Sequence, residues 1–244
     1  MLTLYHFWSS TCSRKVRITL AEKAIAWESH HIDIITKLEN LEPCYVKLNP
    51  NGVVPTLDHD GNIIIESNII IEYLDDTFPD NPLKPVDTYH RALMRLWLDT
   101  AETYIHKNIN IVSYNKRHVP RMNKMFTKEE QREILMRFPG ASKRAVMLKR
   151  LEQGVSAQEE KFAADRLADV VDQMEKTLSQ SQWLAGDCFS LADIAVAPFI
   201  ERFEVNGMDA LVDWDKRPSV GDWWSRVQAR PSYQKAYAFE NPDA

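Results

Sequence analysis

Long apolar runs are missing from this chain of 244 residues. None approaches the ~20 residues a membrane-spanning helix requires, and the densest, residues 191–200, carries Asp193. The first eight residues, MLTLYHFW, have neither a basic start nor a small-residue cleavage site, so no secretory signal is expected. Cysteine is sparse too. Cys12, Cys44 and Cys188 are too few and too scattered for a disulfide framework or a zinc site, which points to the reducing cytoplasm and to no metal. An excess of positive charge is also lacking: the formal net charge is −5, which argues against a general nucleic-acid binder. There is no repeat and no low-complexity tract. What remains is a globular composition, 44% apolar, 10% aromatic and 27% charged, which excludes disordered, collagen-like and coiled-coil chains. A chain of this length is expected to form one or two domains and to bury roughly 70–75% of its unfolded surface without covalent staples.

Charge and texture divide the chain. Residues 1–80 carry a net charge of −6, whereas residues 107–151 carry a local net of +9. The first eighty residues alternate between strand-like and helix-like periods; the rest is helix-like, punctuated by Pro120, Pro139, Pro198, Pro218 and Pro231. The Pro-rich stretch 78–85 marks the boundary. We expect a domain over 1–80, a linker over 81–86 and an all-α domain over 87–244. In the first, the pattern predicts a strand at 2–7, a helix opening after Ser9-Ser10-Thr11-Cys12-Ser13 with Val16, Leu20, Ala21 and Ala24 inward, and a strand at 27–34. A short helix at 42–48, a hairpin of 53–57 and 63–65 around Asp60-Gly61, and a helix at 68–76 with Ile70, Ile71 and Leu74 inward complete it. The order β-α-β-α-β-β-α makes one mixed sheet with helices on its faces. In the second, helices are expected at 87–115, 156–178, from Ser190 with a capping box to Asp193, at 219–229 and after Pro231. A basic insertion at 121–155 should hold two shorter helices.

Three clusters could carry chemistry. A helix amino end presents unpaired N–H groups and about half a positive charge, so the Ser10-Thr11-Cys12-Ser13 cluster suits an anion or a thiolate. Taken alone, such a cluster is most often plain capping. Val54-Pro55 stands at the head of a strand, where a trans edge proline is the ordinary form and a cis bond would turn the Val54 peptide toward a ligand. Glu66-Ser67 is ordinary helix-starting chemistry, yet it also suits a ligand bearing both an amine and a carboxylate.

Taken together with Leu48-Asn49-Pro50-Asn51-Gly52-Val53-Val54-Pro55-Thr56-Leu57, with Ile71-Glu72-Tyr73-Leu74 and with Ser190-Leu191-Ala192-Asp193-Ile194-Ala195, these clusters resemble the glutathione transferase superfamily over nearly the whole chain. The resemblance implies an α/β thioredoxin-like N-terminal domain with a mixed four-stranded sheet, an all-α C-terminal bundle, glutathione as cosubstrate and a homodimer. It implies a cis bond before Pro55. It assigns Glu66 and Ser67 to the γ-glutamyl group, Val54 to the cysteinyl backbone and, more loosely, Asn40 to the glycine end. The activating position is ambiguous between Ser10, Cys12 and Ser13: Ser10 matches the catalytic serine of zeta-like and delta-like classes and the cysteine of omega-like ones, Cys12 matches the cysteine of beta-class enzymes, and Ser13 the residue beside it. Within the superfamily, residues 38–49, His118-Val119-Pro120-Arg121 and Trp183-Leu184-Ala185-Gly186 are similar to tetrachlorohydroquinone reductive dehalogenases, where the cysteine matching Cys12 is catalytic. Lignin β-aryl etherases are similar through the long insertion and the Asn-Pro-x-Gly-x-Val-Pro run, but carry Asn at the place of Cys12. The Ser10-Thr11-Cys12 cluster also resembles maleylacetoacetate isomerases.

The chemistry these resemblances imply is energetically modest. Lowering a thiol from pKa near 8.5 by two units takes about 2.7 kcal/mol. A helix amino end supplies up to ~1–2 kcal/mol and a hydroxyl donor ~1.5–3 kcal/mol. Ser10 at a helix start therefore suffices without a general base. Cys12 adds the option of attack on a glutathione thioether, with a mixed disulfide that a second glutathione resolves. The electrophile is expected between domains, near Trp8, Tyr104, Tyr114, His118 and Arg121, with the basic insertion as a rim that attracts glutathione or a phenolate. Cys44 and Cys188 are assigned to packing. The expected partner is a small electrophile, with conjugation, dehalogenation, ether cleavage and isomerisation open. A non-catalytic ligand-binding module is the alternative from another class.

Overall fold

Apolar residues at alternate positions produce β1 (Leu2–His6), in which Leu2, Leu4 and His6 are buried. The computed structural model describes residues 1–239. β2 (Glu28–His31) runs parallel to β1, while β3 (Thr56–His59) and β4 (Asn62–Ile65) are antiparallel, giving the sheet order β2-β1-β3-β4. The mixed four-stranded sheet is therefore as expected. β2 is shorter than expected because Asp33 turns the chain: its Oδ1 accepts from the N–H groups of Ile35 and Thr36, each at 2.7 Å. The hairpin closes on two residues, since His59 pairs with Asn62, and Asp60 and Gly61 both take positive φ.

Helix α1 (Thr11–Glu22) follows β1, α2 (Pro43–Leu48) precedes the loop to β3, and α3 (Ser67–Thr77) follows β4 with Ile70, Ile71 and Leu74 buried. α1 ends at Glu22, so Ala24 lies outside it, at φ 51°. A stripe on one face of α1 was the expectation; instead Ser13 to Leu20 are all buried. It packs against α3 of the first half and against helices of the second half.

The helix expected at 87–115 runs on to residue 125. α4 (Thr88–Thr100), α5 (Lys107–Ser113) and α6 (Val119–Met125) join through π-helical turns at Ala101–His106 and Tyr114–His118. Pro120 sits in the first turn of α6, directly after the second π turn, and does not stop the helix. The insertion forms a helical hairpin, α7 (Lys128–Arg137) and α8 (Ala141–Gln153), the first opened by a Thr127/Glu130 capping box. α9 (Ala157–Leu178), α10 (Leu191–Val205), α11 (Pro218–Gln228) and α12 (Pro231–Tyr237) complete the bundle. α10 is apolar all round and central, as such a pattern requires. Its Ser190/Asp193 box is buried: Asp193 accepts from the Leu184 and Ser190 N–H groups and from Trp223 Nε1.

Buried cations tie the halves together. Arg14 meets Glu201 at 2.7 Å, and Arg17 donates to the carbonyls of Phe7, Trp8 and Ala236. Within the first half, Lys23 meets Asp75 at 2.7 Å. Such groups are tolerated inside only when paired and hydrogen-bonded. Cys44 and Cys188, assigned above to packing, are exposed, Cys44 in the first turn of α2 and Cys188 in the loop before α10.

Candidate active site

Ser10 is the N-cap of α1, and its hydroxyl accepts from Ser13 N–H at 3.2 Å. Ser9, Ser10 and Thr11 open onto a cavity of about 990 Å³ whose other walls come from the 107–122 stretch of the long helix, the α7–α8 hairpin and the end of α10. Ser13 does not share that opening. It is fully buried, and its hydroxyl accepts from Phe7 N–H at 3.4 Å, so it braces the turn between β1 and α1.

Cys12 points elsewhere again. Its thiol lies beside the Ser67 side chain, in the seam between α1, α3 and the π turn at Ala101–His106. Ligand atoms of Cys12, Glu102 and His106 lie within 4.8 Å of one another. Lys15, fully buried, is the cation of this cluster: its Nζ is 3.9 Å from Glu102, donates to Asn68 Oδ1 at 3.2 Å and stands 4.8 Å from the Phe199 ring centre. Burial pushes the Cys12 thiol up, and it outweighs Lys15 and the Ser67 side chain, which pull the other way. The amino end of α1 thus does not make Cys12 a resting thiolate.

Glu66 and Ser67 start α3. Glu66 has φ 68°, a conformation that costs a non-glycine residue free energy and marks a held site. Its Oε1 accepts from Asn51 Nδ2 at 2.9 Å. The Val54–Pro55 bond is cis. The loop before it is held from below: Tyr45 and Asn49 both donate to the Val53 carbonyl at 2.8 Å. Asn40 is buried; its Nδ2 donates to Gly52 O at 2.9 Å, while its Oδ1 has no partner among the described residues. Asn40 therefore supports the loop and retains one buried acceptor. Gly52, at φ 59°, has a backbone that strains any side chain, and a Cβ there would crowd Pro139 of the hairpin at 3.1 Å.

Of the aromatic and basic residues expected at the electrophile, Tyr114, His118 and Arg121 line the cavity. Trp8 and Tyr104 do not. Trp8 packs against Phe7 with ring centres 5.8 Å apart, and its carbonyl is taken by Arg17 at 2.7 Å. Tyr104 is 42% exposed, with the Arg166 guanidinium 4.6 Å from its ring centre; the π turn rotates it out of line with the cavity-facing residues. The Tyr114 and His118 rings stack at 5.2 Å. Burial, then Arg121, lowers His118 to about 4, so it is neutral at physiological pH.

Sequence reasoning missed Lys15, Lys143, Arg202 and Asn206. Lys143 of α8 donates to Asn51 O at 3.0 Å and lies near Glu66. Arg202 of α10 donates to Ser9 O at 2.7 Å, placing the end of that helix against the turn that carries Ser10. The excess of basic residues over 107–151 was the available signal for Lys143. Nothing local announces a contact between residues 193 apart.

Residues 4–82 match the family model "Glutathione S-transferase, N-terminal domain", and residues 138–231 match "Glutathione S-transferase, C-terminal domain". The chain is 30% identical over 243 residues to Protein LigF of Sphingobium sp., covering 97% of this chain and 93% of that one. It is 27% identical over 248 residues to the tetrachloro-p-hydroquinone reductive dehalogenase of Sphingobium chlorophenolicum, covering 98% and 97%. The crystal structure of the beta-etherase LigF superposes with a TM-score of 0.88 at 29% identity, over 97% of this chain and 98% of that one.

Proposed function

The chain belongs to the glutathione S-transferase family, and from that membership we propose that Ser10 activates the glutathione sulfur for displacement at an aromatic or halogenated carbon. Glutathione-dependent catalysis comes with the family; the residue roles and the electrophile are our reading. The observation that carries it is the serine-capped amino end of α1 opening onto the large cavity, with the Glu66–Ser67 turn at the neighbouring helix start. The residues fit the tripeptide: Glu66 and Ser67 for the γ-glutamyl group, Val54 beside the cis-proline for the cysteinyl backbone, and Asn40, with its unpaired buried Oδ1, near the glycine end. Glutathione supplies the nucleophilic sulfur. Ser10 donates a hydrogen bond to it, and the helix end favours its anionic form.

The second reading, reductive cleavage through Cys12, is supported by the dehalogenase relative. Against it stands the position of the half-buried thiol beside Ser67, outside the cavity wall, where desolvation pushes its pKa up. Displacement of halide or of an aryloxide needs no protein thiolate, so the arrangement favours those over thiol-dependent reduction. We place the enzyme in the cytoplasm as a homodimer; no helix among the described residues is long and apolar enough to cross a membrane. Ile69 of α3 and Leu96 of α4, 57% and 63% exposed, are the apolar residues a second copy would cover.

The test is binding and turnover. Glutathione should bind by calorimetry, and 1-chloro-2,4-dinitrobenzene should be turned over. Ser10→Ala should raise the pKa of the bound thiol by about one unit, read by thiolate absorbance, if the hydroxyl contributes ~1.5 kcal/mol. An unchanged thiol pKa removes Ser10 from the mechanism.

A further inference from the structure

We propose that the electrophile carries a carboxylate, held by a subsite that Arg117, Arg121 and Asn206 form in the cavity wall. This deepens the reading above and rests on it. Six cations line the cavity, Lys107, Arg117, Arg121, Lys143, Arg150 and Arg202, and its wall has no acidic residue among the described residues. Four of them have a carboxylate at hand. Lys107 lies near Glu102 and Lys143 near Glu66; Arg150 is 3.7 Å from Glu159, and Arg202 adjoins Glu201. Arg117 and Arg121 form no ion pair among the described residues.

Two buried donors here, Arg121 Nε and Asn206 Nδ2, have no hydrogen-bond partner among the described residues. Arg117 Nη1 donates to Asn206 Oδ1 at 3.0 Å, which settles the orientation of that amide and leaves its N–H₂ group free. Buried donors without acceptors are costly, and three neighbouring guanidinium groups repel. Burial first, and Arg117 second, lowers the affinity of Arg121 for its proton; Arg202 also feels Arg117. An anionic group against this wall offsets the repulsion among Arg117, Arg121 and Arg202, which a neutral aromatic cannot do.

The location assigns this group to the second substrate. Arg202, on the same helix as the subsite's Arg117 partner region, is bonded to Ser9 O, so the cations adjoin the turn bearing Ser10. The residues proposed for the tripeptide ends are elsewhere: Glu66 and Ser67 at the start of α3, and Asn40 in the turn at 39–41 bonded to Gly52 O. Tyr114, Met122, Val146, Met147 and Leu151 provide surface for an aromatic body.

The experiment compares 4-chloro-3,5-dinitrobenzoate with its methyl ester, each corrected for the uncatalysed rate. In both, a carbon–sulfur bond forms, the carbon–chlorine bond breaks and chloride leaves with the electron pair. Charge-assisted hydrogen bonds predict a kcat/KM advantage of about tenfold or more for the acid. Arg121→Gln should bring the acid-to-ester ratio close to one, and Arg121→Lys should restore part of it. Calorimetric binding of glutathione to each variant checks that the fold and the first-substrate site persist. In parallel, 3,5-dinitrobenzoate and 3,5-dinitrobenzamide, which lack a leaving group, are titrated into enzyme saturated with S-methylglutathione. The benzoate should bind more tightly, and should not be displaced by the tripeptide. Equal rates for acid and ester, equal affinities for benzoate and benzamide, or competition between benzoate and S-methylglutathione would each overturn the proposal. Absence of glutathione binding would instead sink the reading on which it rests.

Discussion

Histidines at two buried places tie stability to pH. His6 Nδ1 accepts from Arg17 at 3.0 Å, so its Nε2–H donates to Ser29 Oγ at 2.7 Å, and the ring is neutral. Burial, then Arg17 and the neighbouring His31 and His30, lowers it to about 3; His118 is lowered to about 4. Both groups bind protons more readily unfolded, near pKa 6.5. Stability is thus fully present above pH 6.5 and is lost as pH falls toward 4 and then 3, at up to about 1.4 kcal/mol per pH unit for each ring. Urea unfolding at pH 7, 6 and 5 should show this decline, and His118→Gln should flatten it. At the same scale, Cys12 should react slowly with iodoacetamide at pH 7, while exposed Cys44 and Cys188 react fast; peptide mass spectrometry separates the three. Fast labelling of Cys12 would revive the thiolate role that its seam position argues against.

Elements here are set by their ends. The Ser190/Asp193 box was legible because a cap depends on residues three apart, and α10 begins where the pattern places it. Its second task was not legible: Asp193 also receives Leu184 N–H and Trp223 Nε1, thirty residues on. Asp193→Ala would leave three buried donors open, so a loss of at least ~3 kcal/mol is expected by urea unfolding. The α7–α8 hairpin offers a contrasting case. Ile134 packs with Leu38 and Leu41 of the first half, beside Phe126 and Phe138, and Pro139 stands 3.1 Å from where a Cβ on Gly52 would lie. Ile134→Ala should cost ~2–4 kcal/mol where the hairpin meets the loop, and should raise KM for glutathione more than it lowers kcat. The long helix was underestimated for a related reason. Pro120 reads as a stop in a one-dimensional pattern, but it falls in the first turn of α6, just past a π turn.

Across the molecule, α1 belongs to both halves. Its buried cations are bonded to Glu201 and Ala236 O, and Arg202 reaches back to Ser9 O. The two halves should therefore unfold together. Far-UV circular dichroism and tryptophan fluorescence, which samples Trp8 and Trp27 as well as the five tryptophans of the helical part, should give coincident transitions. Two separated transitions would show that these bonds do not couple the halves.

The order of strands and helices, the caps at Ser10 and Ser190, the Asp60-Gly61 turn and the basic face of the insertion could all be read from residues a few positions apart. Periodicity, capping and turn conformation are local, so their physics is written in short stretches of chain. The placing of Ser10 on the cavity, Ser13 in the core and Cys12 in the seam could not be read that way, though the three share one turn of α1. Nor could the pairing of Arg202 with Ser9, or the lack of a carboxylate partner for Arg117 and Arg121 among the described residues. Those depend on which surfaces meet when the two halves pack, and burial and charge at that junction are sums over residues far apart in the chain.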